Sequence, residues 1–242
     1  MNIDQLDHGW RARVGLIVPS ANAAAEPEIR LMLPPGVSLH ITRVKLTGSS
    51  RADIEGMAAG ATEAAMLLAD ARVDLVAFHC TAASVWSVDA DEALRRDIEA
   101  RSGLPATTTA TALLAALEKL DARRISLISP YTEEINARER RFLEAHDIEV
   151  LNARGLGLEN PHDMYAVEPK TWIDLAMRHN HAEAAACFVS CAAIRTAGVI
   201  DELEASLGIP VLTSNQVMAW DLARRVLPEM RIEGFGALFG QG

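Results

Sequence analysis

The sequence predicts an α/β fold made of two similar parallel-sheet units, and three observations predict it. Short, continuous runs rich in Val, Ile and Leu alternate with alanine-rich amphipathic stretches of helical length. Strands that are apolar on both faces belong to parallel sheets covered by helices on both sides. A chain of 242 residues that is half hydrophobic has room for one large domain or two of roughly 100 residues each. The third observation, an internal likeness, favours two. "RVGLIVPSAN" and "RRISLISPYTEE" align Pro19 with Pro130, and the 111-residue offset between them also separates Cys80 from Cys191. "IEARSGLPATTT" returns as "LEASLGIPVLTS" after a small deletion, so three landmarks recur in one order.

Six runs read as strands in chain order: "RVGLIVPS", "VSLHITRV", "VDLVAFHC", "RISLISP", "IEVLNAR" and "AACFVSC". Between and after them the pattern predicts helices near 23–33, 51–70, 90–101, 111–120, 133–146, 168–179, 197–206 and 215–227. Asp53 is placed to open the second of these. Thr196 precedes "AGVIDELEASLG", which stops on Gly208 as helices often stop on glycine. The first unit is expected over 1–112, completed by the returning segment 215–242, and the second over 113–214.

Charge and composition narrow the partners. Net charge is −10, and no block of Lys or Arg is dense enough to track a phosphate backbone, so nucleic acid is not an expected partner. No apolar run approaches the roughly 20 residues that span a bilayer, and "MNIDQLDHGWRARVGLIVPS" lacks the order of a signal peptide. A cytoplasmic protein that does not contact membranes is the expectation. Three cysteines in so long a chain make no disulfide framework, and in a reducing compartment they are thiols.

Two of those thiols stand at equivalent places. Cys80 ends "VDLVAFHC" before Thr81, Ala82 and Ala83, and Cys191 ends "AACFVSC" before Ala192 and Ala193. Ligand crevices of open parallel sheets lie at the carboxyl ends of the strands. If the units face each other about a pseudo-two-fold axis, the two cysteines meet across one cleft. Free N–H groups of the following turns would receive a carboxylate or an incipient enolate, and would help a thiol whose unperturbed pKa near 8.5 leaves little thiolate at neutral pH. Burial as plain core residues is the alternative, because free Cys is among the most buried residue types. Cys187 has no counterpart in the first unit and is assigned to the core. Ser20 and Asn22, after the first strand, either contact ligand or cap the next helix. His79 points away from Cys80 and is expected to be a hydrogen-bonded core residue. Arg195 either holds a second carboxylate at the cleft mouth or pairs with a surface acid. No C-x₂-C or clustered Cys/His spacing suggests a metal.

Together "GLIVPSANAAAEPE", "FHCTAA", "SPYTEE", "GLGLENPHD" and "VSCAAIRT…LGIPVLTSN" resemble the aspartate/glutamate racemase superfamily, in its branch with maleate cis-trans isomerase and arylmalonate decarboxylase. The likeness runs from about Arg13 to Phe239. It implies two flavodoxin-like units with the active site between them, no metal and no organic cofactor. It also implies Cys80 as nucleophile, Cys191 as acid/base, and substrate contacts from Asn22, Tyr131 and Asn160. Decarboxylases of this branch carry glycine at the first cysteine position, which Cys80 does not match. The motif "AAIRT" after Cys191 is closer to racemase-like relatives. The expected function is therefore a cofactor-independent isomerase of a small carboxylic or dicarboxylic acid, similar to maleate isomerase. The expected contacts are Ser20, Asn22, Thr81, Ala82, Tyr131, Asn160, Ala192 and Ala193, in a homo-oligomer. A two-thiol racemase or epimerase and a non-catalytic small-acid binding module are the alternatives.

Overall fold

The structure is a computed structural model that describes residues 8–46, 51–229 and 231–240, the side chains of 51–55 excepted. It contains two four-stranded parallel sheets of identical topology. The first is built from β1 (Ala12–Pro19), β2 (Val37–Val44), β3 (Leu75–Phe78) and β4 (Ala106–Thr108), in the order β2-β1-β3-β4. The second uses β5 (Arg124–Ser129), β6 (Glu149–Gly155), β7 (Ala186–Val189) and β8 (Val211–Thr213), in the order β6-β5-β7-β8. This is the flavodoxin-like order, repeated. The internal likeness of the sequence is thus a likeness of architecture.

All eight predicted helices are present: α1 (Ala25–Met32), α2 (Arg51–Asp70), α4 (Val88–Ser102), α5 (Thr109–Lys119), α6 (Glu133–Glu144), α8 (Pro169–His179), α9 (Ile200–Leu207) and α10 (Ser214–Val226). A 3₁₀ turn at Ala197–Val199 leads into α9. Asp53 lies inside α2 rather than at its start, and its side chain falls outside those described. Short helices not expected from the sequence are α3 (Thr81–Ser84), α7 (Pro161–Ala166) and α11 (Ala237–Gly240). The strands β4 and β8 were also not expected, because three residues, two of them threonine in β4, make no apolar run.

Strand alternation sorts side chains into three layers of core. Val14, Leu16, Leu75 and Ala77 of the first sheet join Ile125, Leu127, Ala186 and Phe188 of the second in one central cluster, together with α1, α5 and α10. Ile17, Val76 and Phe78 face α2 and α4 on one outer side, and Ile128, Cys187 and Val189 face α8 and α9 on the other. A single apolar centre therefore fixes the two sheets relative to each other. Buried threonines of β4 are satisfied from neighbouring helices: Thr107 Oγ1 donates to Asp221 on α10 at 2.6 Å, and Thr108 Oγ1 to Asp91 on α4 at 2.9 Å. The duplicated ends agree in detail. Gly103 and Gly208 both close a helix at φ 70°, a conformation that costs glycine little, and Thr108 and Thr213 both cap the helix that follows. Among the described residues no helix is long and apolar enough to cross a membrane.

Candidate active site

At the carboxyl ends of β1, β3, β5 and β7 a cavity of about 400 Å³ opens. Cys80, Thr81 and Ala82 line it from the first unit, and Tyr131, Cys191, Ala192 and Ala193 from the second. Cys187 is fully buried in the outer core of the second sheet. Pro19, Leu46, Met57, Ile135, Pro161 and Met164 supply apolar wall, and Glu159 is the one carboxylate among the described lining residues.

The two thiols are presented by different local structures. Cys80 is the N-cap of α3 with an extended backbone, φ −149°. Because α3 starts there, the N–H groups of Thr81 and Ala82 have no intrahelical acceptor. Cys191 follows β7 at φ 120°, a left-handed value that a side chain adopts only under constraint. The constraint is visible: Cys191 N–H donates to Ser214 Oγ at 2.9 Å, and Ala193 N–H donates to Cys191 Sγ at 3.3 Å. Ser214 Oγ also accepts from Thr81 Oγ1 at 2.9 Å, so one hydroxyl at the start of α10 ties both thiol turns together.

Asn22 caps α1 and also bridges the cleft. Its Oδ1 accepts from Ala24 and Ala25 N–H at 3.0 and 2.9 Å, capping α1, while Nδ2 donates across the cleft to Ala192 carbonyl oxygen at 2.9 Å. It is buried and lines the cavity. Ser20 is exposed; its Oγ accepts from Leu46 N–H at 3.1 Å, outside the cavity lining. Asn160 is exposed and caps α7 by accepting from His162 N–H at 2.8 Å; its neighbours Glu159 and Pro161 reach the cavity. Tyr131 lies beside Gly155, where any Cβ would collide with the Tyr131 carbonyl oxygen. Burial holds its phenol well above the usual range, so its hydroxyl stays protonated and donates to the Cys191 sulfur.

Electrostatics follow from enclosure. Burial pushes Cys80 up to about 11, offset in part by the Ala83 N–H, and Cys191 up to about 12, offset by Tyr131 and Ala193. Cys80 also disfavours ionisation of Cys191. Both are therefore protonated at neutral pH, and Cys80 is the readier to ionise. No Lys, Arg or His is among the described lining residues, so a bound anion would rest on N–H, hydroxyl and amide donors. Arg195 is turned away: it donates to the carbonyl oxygens of Tyr165 at 3.0 Å and Val167 at 3.1 Å and pairs with Glu168 at 3.5 Å. His79 is fully buried between Thr109 Oγ1 at 3.0 Å and Asn215 Oδ1 at 2.8 Å, and stays neutral. Sequence reasoning missed Ser214 and Met164, whose Sδ lies 3.9 Å from Cys191 Sγ. The repeat "VLTS" pointed to the first; nothing in the sequence points to the second.

The chain as a whole, from its strands to its helices, has parallels among known proteins. An arylmalonate decarboxylase from Bordetella bronchiseptica is 32% identical over 143 residues, which span 58% of this chain and 60% of that protein. A maleate isomerase from Geobacillus stearothermophilus is 24% identical over 93% of this chain and 96% of its own length. A liganded crystal structure of an arylmalonate decarboxylase double mutant superimposes with a TM-score of 0.88 at 25% identity, covering 96% of this chain and 100% of that one. The family model described as arylmalonate decarboxylase matches residues 14–239, from the first buried strand to the last short helix, and the chain belongs to that family.

Proposed function

We propose that the protein is a cofactor-independent cis-trans isomerase of a small unsaturated acid, similar to maleate isomerase, with Cys80 as nucleophile and Cys191 as proton donor. The observation that carries the reading is that thiols from two duplicated units line one cavity beside turn N–H donors. Relatives named as maleate isomerases match nearly the whole chain, and a cavity of about 400 Å³ suits a small acid.

Cys80 is assigned as nucleophile because it is less buried than Cys191 and its proton is the less tightly held. Loss of that proton to solvent gives the thiolate. Its electron pair forms a C–S bond to one alkene carbon of maleate, and the π pair moves into the adjacent carboxylate as an enediolate. Turn N–H groups after Cys80, with Asn22, hold the oxygens on which this charge develops. Cys191 S–H then gives its proton to the neighbouring carbon, and the Tyr131 hydroxyl steadies the thiolate left behind. The central bond is now single and rotates. Cys191 takes the proton back, the C–S bond breaks, and Cys80 leaves as thiolate, releasing fumarate. Asn160 and Ser20 keep a role only if substrate draws their loops inward. We also propose a homo-oligomer, which light scattering on the purified protein tests.

The test is to incubate the protein with maleate in deuterated water and follow product by NMR. Fumarate formation by the wild type and its loss in Cys80→Ala support the reading; turnover that survives Cys80→Ala overturns it. The same facing thiols also suit a racemase, one removing and the other delivering a proton. Deuterium appearing at the α carbon of an unchanged saturated acid selects that second reading.

A further inference from the structure

The duplication that matches the two cysteines also matches two glutamates, one half-buried and one fully buried. Glu28 on α1 and Glu139 on α6 stand at the 111-residue offset that separates Cys80 from Cys191. Their surroundings differ. Glu28 is saturated with donors: the N–H groups of Thr196 and Ala197, the Thr196 hydroxyl and Asn215 Nδ2 at 2.7 Å. Glu139 is completely buried and has one partner, the Ser190 hydroxyl, which donates to Oε1 at 2.7 Å. Its other oxygen, Oε2, has no hydrogen-bond partner, and neither has Nδ2 of Asn136 one turn earlier on the same helix. A buried carboxyl group left half-satisfied is costly and calls for a reason.

Its location supplies one. Ser190 immediately precedes Cys191, and charge on Glu139 is felt by both Cys191 and Tyr131. We infer that Glu139 is a positioning residue for the second half-site: through Ser190 and its charge it keeps Cys191 in the thiol form that donates a proton. The role deepens the isomerase reading and rests on it. When Glu139 is ionised, a thiolate at Cys191 meets a second negative charge in a dry interior, so the proton stays on sulfur. Burial pushes Glu139 up to about 7, so its ionisation falls near neutral pH. The titratable groups that feel its charge are Tyr131 beyond the end of β5 and Cys191 after β7. Cations on its own helix are engaged elsewhere: Arg138 with Glu134 and the Trp86 ring, Arg140 with Glu144 and the Val150 carbonyl.

The test is alkylation by iodoacetamide, followed separately at each cysteine by peptide mass spectrometry across pH 6 to 9, for wild type and Glu139→Gln. Alkylation tracks thiolate. The two proteins are expected to label Cys191 equally at the acid end, where wild-type Glu139 is neutral, and the variant roughly threefold faster at the alkaline end. Cys187, buried in the core, reports any general loosening by labelling faster, and Cys80 is expected to be unchanged. Ser190→Ala, which removes the one donor favouring the ionised carboxyl, is expected to act in the same direction and serves if Glu139→Gln does not fold. Identical Cys191 curves in wild type and variant overturn the inference, as does acceleration shared with Cys187. Because labelling needs no substrate, this outcome is independent of whether maleate is turned over.

Discussion

The two units share a topology and differ where they meet the cavity. In the first, Cys80 opens a helix, its backbone is relaxed, and the residue before it, His79, is locked by Thr109 and Asn215. In the second, Cys191 sits in a strained turn held by Ser214, and the residue before it, Ser190, reaches Glu139. Duplication supplied two thiols, and divergence of what surrounds them supports the proposed division into an attacking group and a proton donor. A helix start favours the thiolate, whereas a buried carboxylate disfavours it.

Breaking either half is expected to abolish the reaction for a different reason. Cys80→Ala removes the nucleophile and Cys191→Ala the acid, and each is expected to lower kcat by about a thousandfold or more. Fumarate formation from maleate, followed by NMR, checks this, with circular dichroism showing that the fold is kept. A smaller effect comes from pH: with Cys80 at about 11, kcat/KM is expected to rise about tenfold per unit between pH 7 and 9, as the thiolate fraction grows. Tyr131→Phe leaves the Cys191 thiolate without its hydroxyl donor and is expected to cost about ten- to a hundredfold in kcat with little change in KM. That difference would sharpen the comparison, because Cys80 has no phenol partner.

Stability offers a quieter test of the same contrast. Glu139 has a folded value near 7 against 4.5 unfolded, so its protonated form favours folding fully below the unfolded value, and that contribution is lost as pH rises through 7. Thermal unfolding is expected to show wild type losing on the order of 3 kcal/mol relative to Glu139→Gln between pH 5 and 8. A pH-independent difference would mean that Glu139 does not titrate in this window.

Much of this was legible in the sequence because it was written twice. Cysteines alone read as core residues; their offset, shared with Pro19 and Pro130, placed them at equivalent strand ends. What stayed hidden obeys other rules. β4 and β8 are buried through threonine hydroxyls that bond to aspartates or cap helices, so no apolar run announces them. In "NARERRFLE" Glu139 reads as part of a solvated charged face, and only the alignment with Glu28 marks it as different. Ser214 is the first residue of α10, directly after its cap Thr213, and its service to Cys191 depends on a contact 23 residues back in the chain. Arg195 and Asn160, which the motifs brought forward, face α7 instead of the cavity because that short helix needs carbonyl and N–H partners at its two ends.

The central claim is that Cys80 attacks an acid to which Cys191 supplies the proton. Cys191→Ser, which weakens the acid but leaves the nucleophile, should be mixed with maleate, denatured, digested and mapped by mass spectrometry. The account predicts a covalent succinyl adduct on the Cys80 peptide alone. An adduct on another residue, or none on Cys80 while fumarate still forms, would contradict it.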